Sequence, residues 1–187
     1  EARVRLPDNY WLGITIPGLA GLAIARTKHI AWSGTFSVAD NVDWFIEDLA
    51  SSVVTKRSVS IARRGKAALQ IDFSDTERGV IEAVKDQTAL SVAWAGSEAP
   101  DETLAAYLRL PLCKSAPECV SLMDGAMTLA LHFVIADAAG EVWYRQVGRV
   151  PKRDHVSLAP RSGKDGWERL YRGDELPRFA ATEGFIA

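Results

Sequence analysis

The residues best suited to chemistry lie between Pro17 and Asp43, in a stretch that reads PGLAGLAIARTKHIAWSGTFSVADNVD. This stretch combines hydroxyl groups, aspartates and glycines within a short span. Ser33 and Ser37 are not placed like a serine nucleophile, because no histidine lies at motif distance and no segment reads G-x-S-x-G. Serine–histidine chemistry of that kind is therefore not predicted.

Two other groups of polar residues are weaker candidates. Asp72, Asp75 and Glu77 could pair their carboxylates as glycosidases do, but they lie in a hydrophilic turn region that predicts a solvated loop. Cys113 and Cys119 lie close together in LCKSAPEC, and a zinc site needs about four ligands. No further cysteine or histidine pair stands near them, so zinc is not predicted.

The composition is that of an ordinary globular protein. The chain has 187 residues, 48% of them apolar and 25% charged, with a net charge of −2. This length is enough for a single domain over residues 1–187 with its own core. The basic residues are scattered and no apolar run approaches the roughly 20 residues that span a bilayer, so neither nucleic acid nor membrane is an expected partner.

The hydrophobic pattern predicts more strands than helices. Hairpin turns are expected at 26–28 and 137–140, whereas residues 43–49 read as either a short helix or an extended segment. Helical spacing favours helices over 101–110 and 117–131, the second weakened by Gly125. The fold class is therefore α+β with an antiparallel sheet. Its strands are predicted at 10–16, 22–25, 30–32, 53–61, 68–73, 79–84, 90–94, 132–136 and 142–147.

Several segments follow one another in the order seen in one enzyme family. They are PGLAGLAIARTKHIAW, Thr35 with DNVD, DTERGVIEA, ALSVAW, FVIADAAGEVWYRQVGRVPKR and ELPRFAATEGFIA. Together they cover nearly the whole chain and resemble the β-chain of the penicillin acylases (penicillin amidases), the N-terminal-nucleophile hydrolases of peptidase family S45. The resemblance implies an internal, antiparallel β-rich fragment of an αββα sandwich with a few helices, in which residues 50–135 form a family-variable middle region.

The same resemblance implies an amidohydrolase. In this family a zymogen-like precursor cleaves itself and exposes an N-terminal serine, cysteine or threonine, whose α-amino group, with a pKa near ~8, serves as the base. We expect that nucleophile upstream of Glu1 and a second oxyanion donor, an asparagine, beyond Ala187. The chain alone is therefore expected to be inactive, with the rest of the precursor (the α-chain and the remaining β-chain) as its partner.

The expected substrate is a small molecule with an acylated amine, of the β-lactam, acyl-homoserine lactone or acyl-peptide type, and a role in an antibiotic biosynthetic process is in keeping with it. The reaction requires no cofactor, and the resemblance implies a periplasmic or secreted protein. Ala25-Arg26-Thr27 replaces the family's usual Gly-His-Asn, however, and Ser33 stands where glycine is common. The alternative is a non-catalytic β-rich domain that binds a ligand or partner on the acylase scaffold. A fragment with exposed edges is also expected to self-associate.

The resemblance assigns catalytic support to Thr35 and Phe36. They match the turn where the family donates a backbone N–H to the oxyanion, which requires geometry and no particular side chain. The alternative is an ordinary strand-end turn with Phe36 packed inward. Ala23, Ile24 and Gly34 match positions that line the acyl pocket, although apolar residues in strands are most often plain core.

The resemblance also assigns a structural metal and a disulfide. The carboxylates of Asp40 and Asp43, with the carbonyl groups of Val42 and Pro151, match a calcium site found in part of the family, and calcium prefers such oxygens. The alternative is a solvated turn. A disulfide between Cys113 and Cys119 suits an exported protein, and the alternative is two unpaired thiols, one or both of them buried.

Overall fold

A computed structural model describes residues 1–18, 21–97, 102–154 and 158–182. The final Gly-Phe-Ile-Ala segment lies outside these residues. The structure is 46% strand and 15% helix, which confirms the β-rich fold class. The chain forms two compact units where the sequence predicts a single domain. The first comprises residues 1–41, 95–151 and 170–187, and the second comprises residues 42–94 and 152–169.

The described strands are numbered in chain order. They are β1 (Ala2–Arg5), β2 (Tyr10–Ile14), β3 (Ile24–Arg26), β4 (Ile30–Phe36), β5 (Val42–Asp48), β6 (Thr55–Arg63), β7 (Lys66–Asp75), β8 (Val80–Lys85), β9 (Thr88–Trp94), β10 (Leu131–Asp137), β11 (Val142–Val147), β12 (Pro151–Lys152), β13 (Arg161–Ser162), β14 (Arg169–Leu170) and β15 (Arg178–Ala180). The α-helices are α1 (Thr103–Arg109) and α2 (Ala116–Leu122). Neither described helix has the length and apolar character needed to cross a membrane.

The first unit is built on a seven-stranded sheet in the order β1-β2-β3-β4-β10-β11-β15. Every pair of neighbours is antiparallel. The hairpins β3–β4 and β10–β11 form at the two turns that the sequence predicts. Both hairpins meet in the middle of the sheet, because β4 pairs with β10 along seven residue pairs.

One face of this sheet carries the core of the first unit. Side chains alternate between faces along a strand, so Trp32 on β4 and Phe133 and Ile135 on β10 share the covered face and are almost fully buried. Tyr107 of α1 meets the Phe133 ring edge-on, with ring centroids 5.9 Å apart. Burial raises the pKa of the Tyr107 phenol to about 12.

A buried cation lies at the edge of the same core. Arg145 on β11 has no solvent exposure. Its guanidinium donates to the carboxylate of Asp124 and to the carbonyl oxygen of Gly173 at 2.7 Å. Desolvation is the main reason that the pKa of Arg145 is lowered, and the Asp124 charge opposes that effect.

The second predicted helix is shorter than the sequence pattern indicates. It ends at Leu122 instead of reaching residue 131, and a 3-10 turn over Met123–Gly125 follows it. The Met123 N–H bonds the carbonyl groups of both Cys119 and Ser121, which tightens the last turn. At the start of α2, the Asp137 carboxylate of β10 accepts a hydrogen bond from the Ala116 N–H at 3.0 Å. This bond joins β10 directly to α2.

The second unit is a six-stranded sheet in the order β13-β5-β9-β8-β7-β6. The stretch that read as helix or extended is the strand β5, paired antiparallel with β9 over seven residue pairs. Its short partner β13 is parallel to it. Strands β6, β7, β8 and β9 follow one another as a meander, each antiparallel to the next, at the ranges where the sequence predicts four strands of an antiparallel sheet.

The β6–β7 hairpin is the most exposed element of the second unit. Every residue of β6 is exposed. Polar pairs join the two strands, including an Arg57 Nε to Asp75 Oδ2 contact of 2.7 Å and a Gln70 Nε2 to Ser60 Oγ bond of 2.8 Å. Gly65 lies in the connecting turn with φ +69°, a conformation that favours glycine.

Candidate functional site

The backbone of β4 directs its amide groups to alternate edges of the strand. The Ser37 N–H donates to the Ala130 carbonyl at 3.1 Å, and the Ala138 N–H donates to the His29 carbonyl at 2.8 Å. Ser37 and His29, the odd-numbered residues that flank β4, therefore both face β10. Because bonded and non-bonded positions alternate in an antiparallel pair, the Phe36 N–H faces away from β10.

On the opposite edge, Phe36 lies beyond the end of the neighbouring strand. The register between β3 and β4 joins Ala25 to Trp32 and Arg26 to Ala31, so the strand partner on that side stops well before Phe36. The Phe36 side chain is 75% exposed, and the alternative in which it packs inward is wrong. The Phe36 N–H thus points away from the paired strands at the end of β4. A donor to a bound group needs this position.

Thr35 occupies the other face of the sheet, together with a polar group that the sequence reasoning missed. It lies directly opposite His132 in the β4–β10 register. The His132 Nδ1 is hydrogen-bonded to the Tyr144 hydroxyl, and the Tyr144 ring stacks on Phe179 at 4.9 Å. Alternation along β10 and β11 is the sequence signal that places these side chains on one face.

The expected acyl-pocket residues do not share one face. Ile24 lines an open, mainly apolar groove of about 470 Å³ on the uncovered face of the first unit's sheet, together with Ile14 and Val134. Gly34 lies on the covered face, where an added Cβ would be 3.1 Å from the Phe133 ring. Ala23 donates its N–H to the Ile14 carbonyl at 2.9 Å. Their assignment to the acyl pocket stays a prediction.

The residues expected to bind calcium are divided between the two units. Asp40 and Pro151 belong to the first unit, and Val42 and Asp43 to the second. The Asp43 carboxylate is 2% exposed, and its Oδ2 accepts hydrogen bonds from Arg153 Nε at 2.8 Å and from Trp167 Nε1. A calcium ion needs six to eight oxygen ligands, and a guanidinium already holds this carboxylate, so the Asp43 side chain does not fit a calcium ion. Among the described residues, no group of three or more His, Cys, Asp and Glu side chains could hold a metal.

A second buried carboxylate lies on the same face of β5. Glu47 Oε1 accepts hydrogen bonds from Ser91 Oγ at 2.9 Å and Thr76 Oγ1 at 3.1 Å, and lies 3.8 Å from Arg78 Nε. Arg78 also covers the Phe45 ring at 5.1 Å. The acid and its neighbours satisfy one another, which indicates a structural role.

The two cysteines are free thiols, and both are buried. The Cys119 thiol donates a hydrogen bond to the Cys113 sulfur, which is the main reason that the pKa of Cys113 is lowered and that of Cys119 is raised. The structure thus contains two unpaired thiols, the alternative to a disulfide that the sequence leaves open. The disulfide stays a prediction.

The penicillin amidase family model matches residues 1–187. The chain belongs to the penicillin amidase family. Among curated proteins, it is 25% identical over 191 residues to the acyl-homoserine lactone acylase QuiP of Pseudomonas fluorescens, covering 92% of this chain and 23% of the relative. It is also 25% identical over 169 residues to the QuiP of Pseudomonas putida, covering 82% of this chain and 21% of the relative.

The solved structures give the same fold for this penicillin amidase chain. It matches a thermostable penicillin G acylase from Alcaligenes faecalis with a TM-score of 0.76 and 19% identity, over 94% of this chain and 37% of that chain. This match confirms the expected fold. The chain spans about a quarter of the length of the curated relatives, so the activity of the whole protein is a matter for proposal.

Proposed function

We propose that the protein containing these residues hydrolyses the amide bond of N-acylated small molecules, with N-acyl-homoserine lactones as the first candidates. Family membership supports amide hydrolysis. The names of both curated relatives support the acyl-homoserine lactone. A β-lactam or acyl-peptide amide has the same reacting bond and is the second choice within this class.

The proposed chemistry uses an N-terminal nucleophile supplied by another part of the protein. Its oxygen or sulfur attacks the amide carbonyl carbon, the C–N bond breaks, and the amine leaves with a proton delivered from the α-amino base. Water then attacks the acyl-enzyme and releases the carboxylic acid. No step requires a cofactor.

The direction of the Phe36 N–H carries the proposal. During both attacks the carbonyl oxygen becomes an oxyanion, and a donor already fixed in the sheet stabilises it without reorganisation. Phe36 offers such a donor because its N–H faces away from β10, beyond the end of β3. This role depends on the backbone, so phenylalanine at the position is compatible with it.

The apolar groove beside β3 suits the acyl part of such a substrate. Its lining by Ile14, Ile24 and Val134 favours an aliphatic chain over a charged group. Apolar grooves gain affinity with each methylene that they remove from water, by about 0.8 kcal/mol. The proposal therefore favours longer acyl chains over short ones.

The test is to incubate the full-length protein with a series of N-acyl-homoserine lactones and to separate the products by mass spectrometry. Release of free homoserine lactone and the fatty acid supports the proposal. Opening of the lactone ring with the amide intact would contradict it. The 187-residue chain alone serves as the matched negative control, and amide hydrolysis by that chain, at a rate sensitive to changes at Thr35 or Phe36, would show that the external nucleophile is not needed.

A further inference from the structure

We propose that Arg153 is the resident cation of the Asp43 site, in the place that the family resemblance gives to calcium, and that this part of the protein is stable without metal. The inference concerns the second unit alone. It does not depend on the catalytic activity.

The first support is the geometry of the pair. The side chains of Arg153 and Asp43 are 8% and 2% exposed, and Arg153 Nε lies 2.8 Å from Asp43 Oδ2. A carboxylate buried to this extent needs a counter-charge and hydrogen-bond donors. The Arg153 guanidinium supplies both the counter-charge and the N–H donor.

The second support is the donor shared with Trp167. Its indole Nε1 also donates to Asp43 Oδ2, so one carboxylate oxygen accepts two N–H groups. A calcium ion binds oxygen ligands at about 2.3–2.6 Å. It would need that carboxylate oxygen, and the surrounding N–H groups cannot serve as its ligands. A metal could bind there only by displacing the guanidinium, since the two positive charges repel one another at such a distance.

The third support is the neighbouring acid on the same strand. Glu47 lies on the buried face of β5 with Asp43 and Phe45, and it too is near an arginine, Arg78, at 3.8 Å. The unit thus compensates both buried carboxylates of this strand with arginine side chains. A metal ion is not needed to balance either charge.

The test uses terbium, which binds calcium sites and emits light when a nearby tryptophan is excited. Trp167 contacts Asp43 directly and serves as the sensitiser. For the wild-type protein, we expect no terbium emission that depends on Asp43 and no change of melting temperature with millimolar calcium or with a chelator. For R153Q, we expect terbium emission at a concentration at least about tenfold lower than for the wild type, and its loss in the R153Q/D43N double variant.

Two matched variants complete the design. R153K keeps a positive charge and should exclude terbium as the wild type does. K152Q removes the neighbouring charge and should leave terbium emission and the melting temperature as in the wild type. Equal terbium binding by the wild type and R153Q would overturn the proposal, as would no binding by either. If R153Q does not fold, the wild type decides alone: terbium emission lost in D43N, or a calcium-dependent rise of several degrees in melting temperature, refutes the proposal, and the absence of both supports it.

Discussion

The Ser37 N–H donates to the Ala130 carbonyl at 3.1 Å, and this bond fixes the direction of the preceding amide N–H, that of Phe36. Since Ser37 faces β10, Phe36 must present its N–H to the opposite edge of β4. The β3 strand pairs with β4 at Ala31 and Trp32, so the Phe36 amide lies past its end. The sheet thus holds a backbone donor in a fixed direction at a strand terminus.

The first prediction concerns that donor. F36P removes the N–H, while F36A keeps it and removes only the exposed ring. In the full-length protein we expect F36P to lower kcat/KM for amide hydrolysis by about 10²–10³, and F36A to change it far less. Proline is compatible with the ladder here, because the lost N–H does not face β10. A melting curve of each variant separates loss of catalysis from loss of fold, and equal rates for the two folded variants would contradict the oxyanion role.

The second prediction concerns the buried Arg145. Its loss would leave buried carbonyl groups without their donor, whereas the Asp124 carboxylate is 41% exposed and can be solvated. We therefore expect R145M to lower the free energy of unfolding by about 1–3 kcal/mol. Arg178 lies 3.8 Å from the same Asp124 but is 42% exposed. R178Q is the matched control and should cost less than about 1 kcal/mol. Urea unfolding of the three proteins measures both values, and similar losses for the two variants would show that burial does not decide the effect.

The third prediction is a pH dependence that arises at Asp137. Its pKa is lowered chiefly by the hydrogen bond from the Ala116 N–H, with further bonds from the Glu141 and Ala139 N–H groups. A lowered folded pKa means that the stabilisation is present above the unfolded value of about 3.9 and is lost as the pH falls through the folded value. We expect the wild type to lose more stability than D137N between pH 6 and pH 3, as followed by thermal melting at a series of pH values.

The control for this pH dependence is Glu141, a nearby acid whose carboxylate bonds the Trp143 indole. E141Q should retain the wild-type acid sensitivity. If D137N and the wild type melt in parallel across the range, the Asp137 bonds do not stabilise the fold.

The fourth prediction is self-association of the 187-residue chain through the uncovered face of the first unit. Ile14 and Ile24 are 54% and 40% exposed there, and grouped apolar side chains of this kind favour association. We expect a dimer or larger species in sedimentation velocity, and a shift to monomer for I24E. V84E places the same charge at an exposed valine of the second unit and should leave the distribution unchanged. A wild type that sediments only as monomer would contradict the prediction.

Local pattern predicted the sheets better than it predicted the helix ends. The β3–β4 and β10–β11 hairpins follow from alternation and turn residues close in sequence. The predicted second helix is too long, because the residues of the 3-10 turn at Met123–Gly125 also fit the helical spacing.

The Asp43 contacts could not be predicted in the same way. They join residues separated by 110 positions to Arg153 and by 124 to Trp167, and no short-range pattern links them. The resemblance assigned Asp43 to a calcium site, with a solvated turn as the alternative, and neither reading pointed to the buried contacts of its carboxylate with Arg153 and Trp167. Long-range pairing of charges depends on how the segments pack, which a single sequence does not encode locally.

The β6–β7 hairpin also has a practical consequence for experiments on this protein. A Cβ added at Gly65 would meet no atom within 4 Å, and the turn joins two strands whose residues next to the turn are exposed. Exposed turn tips of this kind accept inserted sequence with little effect on stability. A short epitope or a single labelling cysteine placed after Gly65 would therefore give a reporter on the second unit that leaves the core of each unit unchanged.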